Sequence, residues 1–376
     1  MNSSLFKHKD DNQLLLKITA MGWLVYKLST LKLWFLHDRN FPVIPVSDSL
    51  KILVPEFHIV LSALGLFMLV VIIFKPHKSV LIAFLLAETA LQLTDVMRWQ
   101  PAAFQFYISF VAFVVQPKKF KFYLLLLLSA TYIYAGLHKL NLRFINFTWA
   151  TDILIGLLNI STDVAYSKLV KGIGFIIPCF EMMCGILILT KWRKWAFYGI
   201  ILTHTTVLLY ISPLGLNHNS AVWGWNVIMI VYALYFLKNS RQEKLRLTPK
   251  LFNLFWIVLI YVLPILNVFE YYYPYFSFDL YSGNRYYLIL NSEIHENHPL
   301  KLYTNDAKET KSNLQLNTFS WSLEDINTPL THNTWLYKKF IEAFEEKYPE
   351  LEPCYEIQYY PYKTSEIFHF KKPRMH

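Results

Sequence analysis

The sequence predicts a mainly α protein: a polytopic transmembrane bundle of eight or nine spans, with a small C-terminal α+β extramembrane domain. Three observations carry that expectation. First, the 376 residues are 55% hydrophobic and only 16% charged, whereas soluble domains carry about 25% charged residues. Such a chain cannot cover itself with polar surface, so lipid is its natural solvent. Second, the apolar residues gather in runs near the roughly 20 residues that cross a bilayer as a helix. Third, the basic residues cluster in alternate links between those runs. The net charge of +10 therefore fits the cytoplasmic ends of spans and does not point to nucleic acid.

Taken in order, residues 1–14 form a polar tail of mixed charge that does not read as a cleaved signal peptide. Residues 15–270 form the transmembrane domain. The first span, 18–36, carries Lys27 and Lys32, which either snorkel or face the bundle interior. The link 37–56 is broken by Pro42, Pro45 and Pro55. Spans follow at 57–74 and 79–96, the latter carrying Glu88, Gln92 and Asp95. Pro101 suits the first turn of the next span, 102–116. The fifth span is 122–140. Residues 141–168 set Trp149, Ile153 and Leu157 against Asp152 and Asp163, the pattern of a re-entrant or interfacial helix. Spans at 169–190, 195–212, 220–237 and 251–269 complete the bundle.

The links 75–78, 117–121, 191–194 and 238–250 are all strongly basic and alternate with less basic ones. The positive-inside rule places them, and the N-terminus, in the cytoplasm. Residues 271–376 then lie on the periplasmic, luminal or extracellular side. There 285–290, 300–303, 314–319, 354–360 and 367–370 alternate like strands. Residues 334–348 read as an amphipathic helix with Trp335, Phe340, Ile341 and Phe344 on its apolar side. Asn146-Phe-Thr148 and Asn159-Ile-Ser161 are sequons on an outside link.

The chemistry concentrates around residues 132–141, Tyr-Ile-Tyr-Ala-Gly-Leu-His-Lys-Leu-Asn. The expected topology sets Asp95, Arg98, Trp99, Gln100, Lys139, Asn141, His204, the 213–219 turn and Trp223-Gly-Trp-Asn226 at one depth. Lys139 either snorkels to the interface or is a buried amine, whose desolvated form is a usable base. Tyr132 and Ala135 share its helix face. Gly136 leaves room for a close helix or for a flat ligand. His204 is either a structural hydrogen-bonding group or a proton carrier. Asp95 and Arg98 either pair at i,i+3 or leave Arg98 to receive an anion. Glu88 and Glu181 lie within spans and each needs a partner, a proton or a pore. Cys179, Cys184 and Cys354 form no disulfide or metal motif. No HExxH or phosphate loop is present, so no metal is expected.

The blocks Asp95-Val-Met-Arg-Trp-Gln-Pro101, Tyr134-Ala-Gly-Leu-His-Lys-Leu-Asn141, Leu202-Thr-His204, Pro213-Leu-Gly-Leu-Asn-His-Asn219 and Ser277-Phe-Asp-Leu-Tyr-Ser-Gly283 resemble the HTTM-domain family, the transmembrane relatives of vitamin K-dependent gamma-carboxylase. The resemblance covers roughly residues 15–285, with Ala-Gly-x-x-Lys-Leu its most specific part. It implies a reduced vitamin K or another quinol as cofactor, Lys139 as the base that deprotonates it, and His204 in a similar helix. The implied cofactor-binding residues are Arg98, Trp99, Tyr132, Gly136, Asn217 and Trp223. The implied partners are the lipid bilayer, a quinone, and a small-molecule or peptide substrate at the outer face. A lyase-class carboxylation is the implied reaction. About 100 residues follow the last span, without the large luminal portion by which the carboxylase binds its substrate. Two readings therefore stand: a quinol-linked enzyme, or a non-enzymatic assembly or transport component with a structural polar cluster. A pocket for a naphthoquinone beside Lys139 favours the first. Lys139 packed against Asp95 or another carboxylate, with no cavity, favours the second.

Overall fold

A computed structural model describes residues 3–52, 55–215, 217, 219–239, 251–280, 282–283, 286–295, 297–303 and 313–359. The protein is mainly helical. In chain order the helices are α1 (Ser3–Ser29), α2 (Leu31–Phe35), α3 (Pro55–Phe74), α4 (Lys78–Thr94), α5 (Pro101–Val115) and α6 (Phe120–Lys139). There follow α7 (Thr162–Ala165), α8 (Lys168–Gly174), α9 (Ile176–Ile188), α10 (Arg193–Ile211), α11 (Ala221–Lys238) and α12 (Leu251–Ile257). The C-terminal part adds strands β1 (Tyr286–Glu293), β2 (Asn313–Asn317) and β3 (Cys354–Tyr359), with helices α13 (Thr318–Ile326) and α14 (Thr334–Lys347).

Each apolar run foreseen as a span is helical. Among the described residues, five stretches are long and apolar enough to cross a membrane: Glu56–Phe74, Pro117–Lys139, Lys168–Ile188, Ala221–Lys238 and Leu251–Phe269. These make the protein membrane-embedded. Pro101–Val115 and Phe144–Leu157 are apolar but shorter. Pro101 does open α5 at its first turn, where its missing N–H costs nothing. After α12 the chain tightens and loosens in turn, through a π-helix at Val258–Val262 and a 3-10 helix at Leu263–Phe269. Pro264 lacks the N–H that an α-helix would bond four residues back, so the neighbouring bonds shift register. Residues 144–157, expected as part of an amphipathic helix, wind as a π-helix from Phe144 to Leu157. The short helices α7 and α8 follow it, and Ala150, Leu154 and Ala165 form a local core with Trp149 and Val170 packed on it.

The chain divides into two compact units. The first comprises Met1–Ser29, Ala63–Thr89 and Trp99–Asn284. Its interior includes an aromatic knot in which Trp23 meets Phe84 edge-on at 4.7 Å and Phe110 at 5.2 Å. Beside it Lys27 pairs with Glu88 at 2.8 Å, both side chains only 1% exposed. Lys27 thus faces the bundle interior and does not snorkel. α6 and α9 approach through reciprocal glycines. A Cβ on Gly136 would lie 2.5 Å from the Pro178 carbonyl oxygen, and one on Gly185 would lie 2.7 Å from the Ser129 carbonyl oxygen. Bare backbone at both positions lets the helices touch, the device membrane bundles use in place of a hydrophobic drive.

The second unit comprises Thr30–Ser62, Ala90–Arg98 and Arg285–His376. Its sheet has the order β2-β1-β3, antiparallel throughout. Leu290 opposes Leu316 on one side and Tyr355 on the other, while Leu288 opposes Ile357. These residues are all buried, because alternate positions of paired strands share a face. Helix α14 starts where expected, with Asn333 accepting from the Leu336 N–H at 3.0 Å. Its core face is Leu336, Tyr337, Phe340 and Phe344, while Trp335 stays 40% exposed. Two expectations are corrected. Residues 300–303, read as strand, lie in a 3-10 turn, Pro299–Tyr303, since proline at its start favours a turn over a ladder. Strand 314–319 ends early, because Asn317 caps α13 by accepting from the Phe319 N–H. The basic residues 241–250, Tyr360 and the strand foreseen at 367–370 lie outside the described residues.

Candidate functional site

Lys139 closes α6, whose last turn carries His138 and Lys139, where positive charge complements the exposed carbonyls of a helix end. The chain is then turned by Asn141. Its side chain donates to the carbonyls of His138 at 2.7 Å and Ser282 at 2.9 Å, and accepts from the Phe144 N–H at 2.8 Å. That triple role fixes where α6 stops and therefore where the lysine stands.

The Lys139 Nζ donates to Glu181 Oε2 on α9 at 2.6 Å, with the two side chains 12% and 8% exposed. Each charge answers the other's need for a partner in an apolar bundle. Removing one partner of such a buried pair costs about 3–5 kcal/mol, because the survivor keeps an uncompensated charge. The pair sits one turn from the glycine contact. A Cβ on Gly136 would meet Pro178 and Met182 of α9, so the glycine serves the close approach of the two helices.

Two turns earlier on the same face, the Tyr132 hydroxyl meets His204 Nε2 on α10 at 2.5 Å. His204 Nδ1 meets Asn226 Oδ1 on α11 at 2.6 Å, and Asn226 Nδ2 donates to the Val222 carbonyl at 2.7 Å. The last bond fixes the others. An amide whose nitrogen donates to a carbonyl presents its oxygen to the imidazole. Nδ1 then carries the proton, and Nε2 accepts from the tyrosine. Glu181 is near enough for its charge to act at Tyr132, as Lys139 is for His204. Lys139, Glu181, Tyr132, His204 and Asn226 thus form one polar cluster tying α6, α9, α10 and α11.

The remaining foreseen residues disperse. Trp99 belongs to the first unit, stacked on Phe276 at 5.3 Å and edge-on to Tyr273 at 5.4 Å. Trp223 opens α11 with its indole N–H buried and without a hydrogen-bond partner among the described residues. Asn217 is exposed, with a left-handed φ of 48° that suits asparagine. His218 lies outside the described residues. Arg98 belongs to the second unit, fully buried, and donates to the carbonyls of Leu33 and Leu91, to Thr94 Oγ1 and to His58 Nδ1. Asp95 takes Arg39 at 2.5 Å.

The sequence set Lys139 against Asp95 or another carboxylate; the partner is Glu181, whose signal was a carboxylate within an apolar run, while Asp95 is taken by Arg39. Arg39 and His58 were missed altogether. Their only signal was their setting in or beside a proline-rich link.

Among the described residues, no group of three histidine, cysteine, aspartate or glutamate side chains is placed to hold a metal ion. No family model matches the chain, and comparison with curated proteins and with solved structures returns no match.

Proposed function

We propose that the chain is a multi-pass integral membrane protein of eight or nine spans acting as a non-enzymatic assembly or transport component, its polar cluster holding the helices together. One observation carries this reading: Lys139 is ion-paired to Glu181 at 2.6 Å. A lysine amine bonded to a carboxylate on the neighbouring helix is engaged in holding α6 to α9. The packing of Pro178 and Met182 against Gly136 supports the same reading. The orientation, with a cytoplasmic N-terminus and the C-terminal α+β domain on the opposite side, rests on the basic links 75–78, 117–121, 191–194 and 238–250.

A second reading has its own observation. Lys139 and Glu181 keep 12% and 8% of their side-chain surface accessible, beside a hydroxyl–imidazole–amide chain able to carry a proton. In the quinol-linked reading, Lys139, with Glu181 beside it, would face a reduced vitamin K or related quinol and would serve as the base for its hydroxyl. Carboxylation of a small-molecule or peptide substrate would follow at the outer face. Oxygen uptake and epoxide formation with reduced vitamin K, in purified wild type and Lys139→Ala, separate the two. The structural reading expects the same background in both proteins. Lys139-dependent epoxide overturns it and establishes the second.

A further inference from the structure

The second unit contains a cavity of about 320 Å³ that none of the foregoing uses. Its walls are largely apolar, including Leu36, Val43, Pro45 and Leu50, and its polar groups are few: Lys51, His58, Thr94, Glu346 and Lys347. That mixture, apolar walls with a few placed polar groups, is the usual make-up of a small-molecule site.

The polar groups have definite roles. His58 is only 4% exposed, and its Nδ1 lies 3.0 Å from an Arg98 Nη2. A guanidinium only donates, so Nδ1 accepts and the imidazole proton sits on Nε2. His58 lines the cavity, so the Nε2–H is the donor that its ring can offer a guest there. Lys347 donates one N–H to the Arg39 carbonyl at 2.8 Å, leaving further donors on the same ammonium. Lys51 and Glu346 neutralise each other at 2.7 Å. Nearby, Asp325 is engaged by the Phe41 N–H at 2.6 Å and the Tyr303 hydroxyl at 2.9 Å. The Thr94 hydroxyl is engaged by the Leu91 carbonyl and by Arg98, so once Lys51 and Glu346 cancel, the cavity presents one ammonium, one imidazole N–H and apolar walls.

We propose that this cavity binds a small amphipathic carboxylate, its head on His58 Nε2–H and the Lys347 ammonium and its chain against Leu36, Val43, Pro45 and Leu50. A carboxylate accepts from both donors, and charge-assisted bonds are the stronger kind. A neutral amide of the same length loses the charge but keeps the apolar contact. Acetate keeps the charge but loses the contact.

Titrating the purified full-length protein in lipid nanodiscs with hexanoate, hexanamide and acetate, read by calorimetry, tests the assignment. Hexanoate binds saturably at one site, while hexanamide and acetate bind at least about tenfold more weakly. Lys347→Met and Ala343→Met each weaken hexanoate by about tenfold or more, the first by removing the ammonium and the second by filling the cavity from α14. Ala343 has no side-chain polar group, so its variant decides the matter should Lys347→Met fold poorly. Absence of saturable hexanoate binding in wild type overturns the proposal. So does equal binding of hexanamide, or unchanged affinity in a folded variant.

Discussion

Lys139 Nζ on α6 and Glu181 Oε2 on α9 stand 2.6 Å apart, one turn from the point where Gly136 lets the same two helices touch. Ion pair and glycine contact therefore depend on each other. The pair reaches only because the backbones are close, and the close backbones are kept in register by the pair.

The glycine side of that relationship is testable alone. Gly136→Ala puts a methyl 2.5 Å from the Pro178 carbonyl oxygen, and Gly185→Ala puts one 2.7 Å from the Ile133 nitrogen. Neither backbone can move aside cheaply, so each substitution destabilises by about 1–3 kcal/mol. Gly172 in α8 has nothing within 4 Å of an added Cβ, and Gly172→Ala is neutral or stabilising by up to about 1 kcal/mol. Thermal unfolding in nanodiscs checks the contrast; equal melting shifts in all three contradict it.

The Tyr132–His204–Asn226 chain predicts a single imidazole tautomer. Nitrogen NMR of labelled histidine places the proton of His204 on Nδ1. In Asn226→Leu that preference is lost, since the acceptor at 2.6 Å is gone. Tyr132→Phe keeps the ring and removes one hydrogen bond, at a cost of about 1–2 kcal/mol. A proton found on Nε2 in wild type contradicts the assignment.

Lys347 predicts a pH dependence. Burial, followed by the charge of Arg39, brings its amine down from the ordinary 10.5 to about 8, with Asp325 pulling the other way. The unfolded chain therefore holds the extra proton between about pH 8 and 10.5, and this residue's contribution to stability rises with pH across that window. Glu346, Tyr348, Lys51 and His58 are the other ionisable groups in its neighbourhood. Burial raises Tyr348, which acts in the opposite sense at the alkaline end. Subtracting the Lys347→Met melting profile from wild type cancels that background and leaves a difference that grows from pH 8 to 10. A flat difference contradicts it.

Much of the helical part was legible because bilayer thickness sets a fixed length for apolar runs. Residues 57–74 became Pro55–Phe74, and 220–237 became Ala221–Lys238. Local chemistry in the C-terminal unit was harder to read. Asn317 ends a strand and caps a helix within one residue, and alternation at 300–303 was too short to distinguish strand from turn. Which residues would partner across helices was not legible. Glu181 announced a need, yet only helix rotation decided that Lys139 would meet it. Likewise Asp95 lay three residues from Arg98, yet Arg39 reached it from a distant loop.

The account rests on Lys139 and Glu181 acting as one compensated unit, and a double-mutant cycle measures that directly. Lys139→Met, Glu181→Leu and the double variant are unfolded thermally in nanodiscs beside wild type. Each single variant loses about 3–5 kcal/mol, and the double variant recovers most of the loss, because two matched apolar side chains replace the pair without leaving a buried charge. Single losses that simply add in the double variant would show that the two side chains do not depend on each other, and would contradict the account.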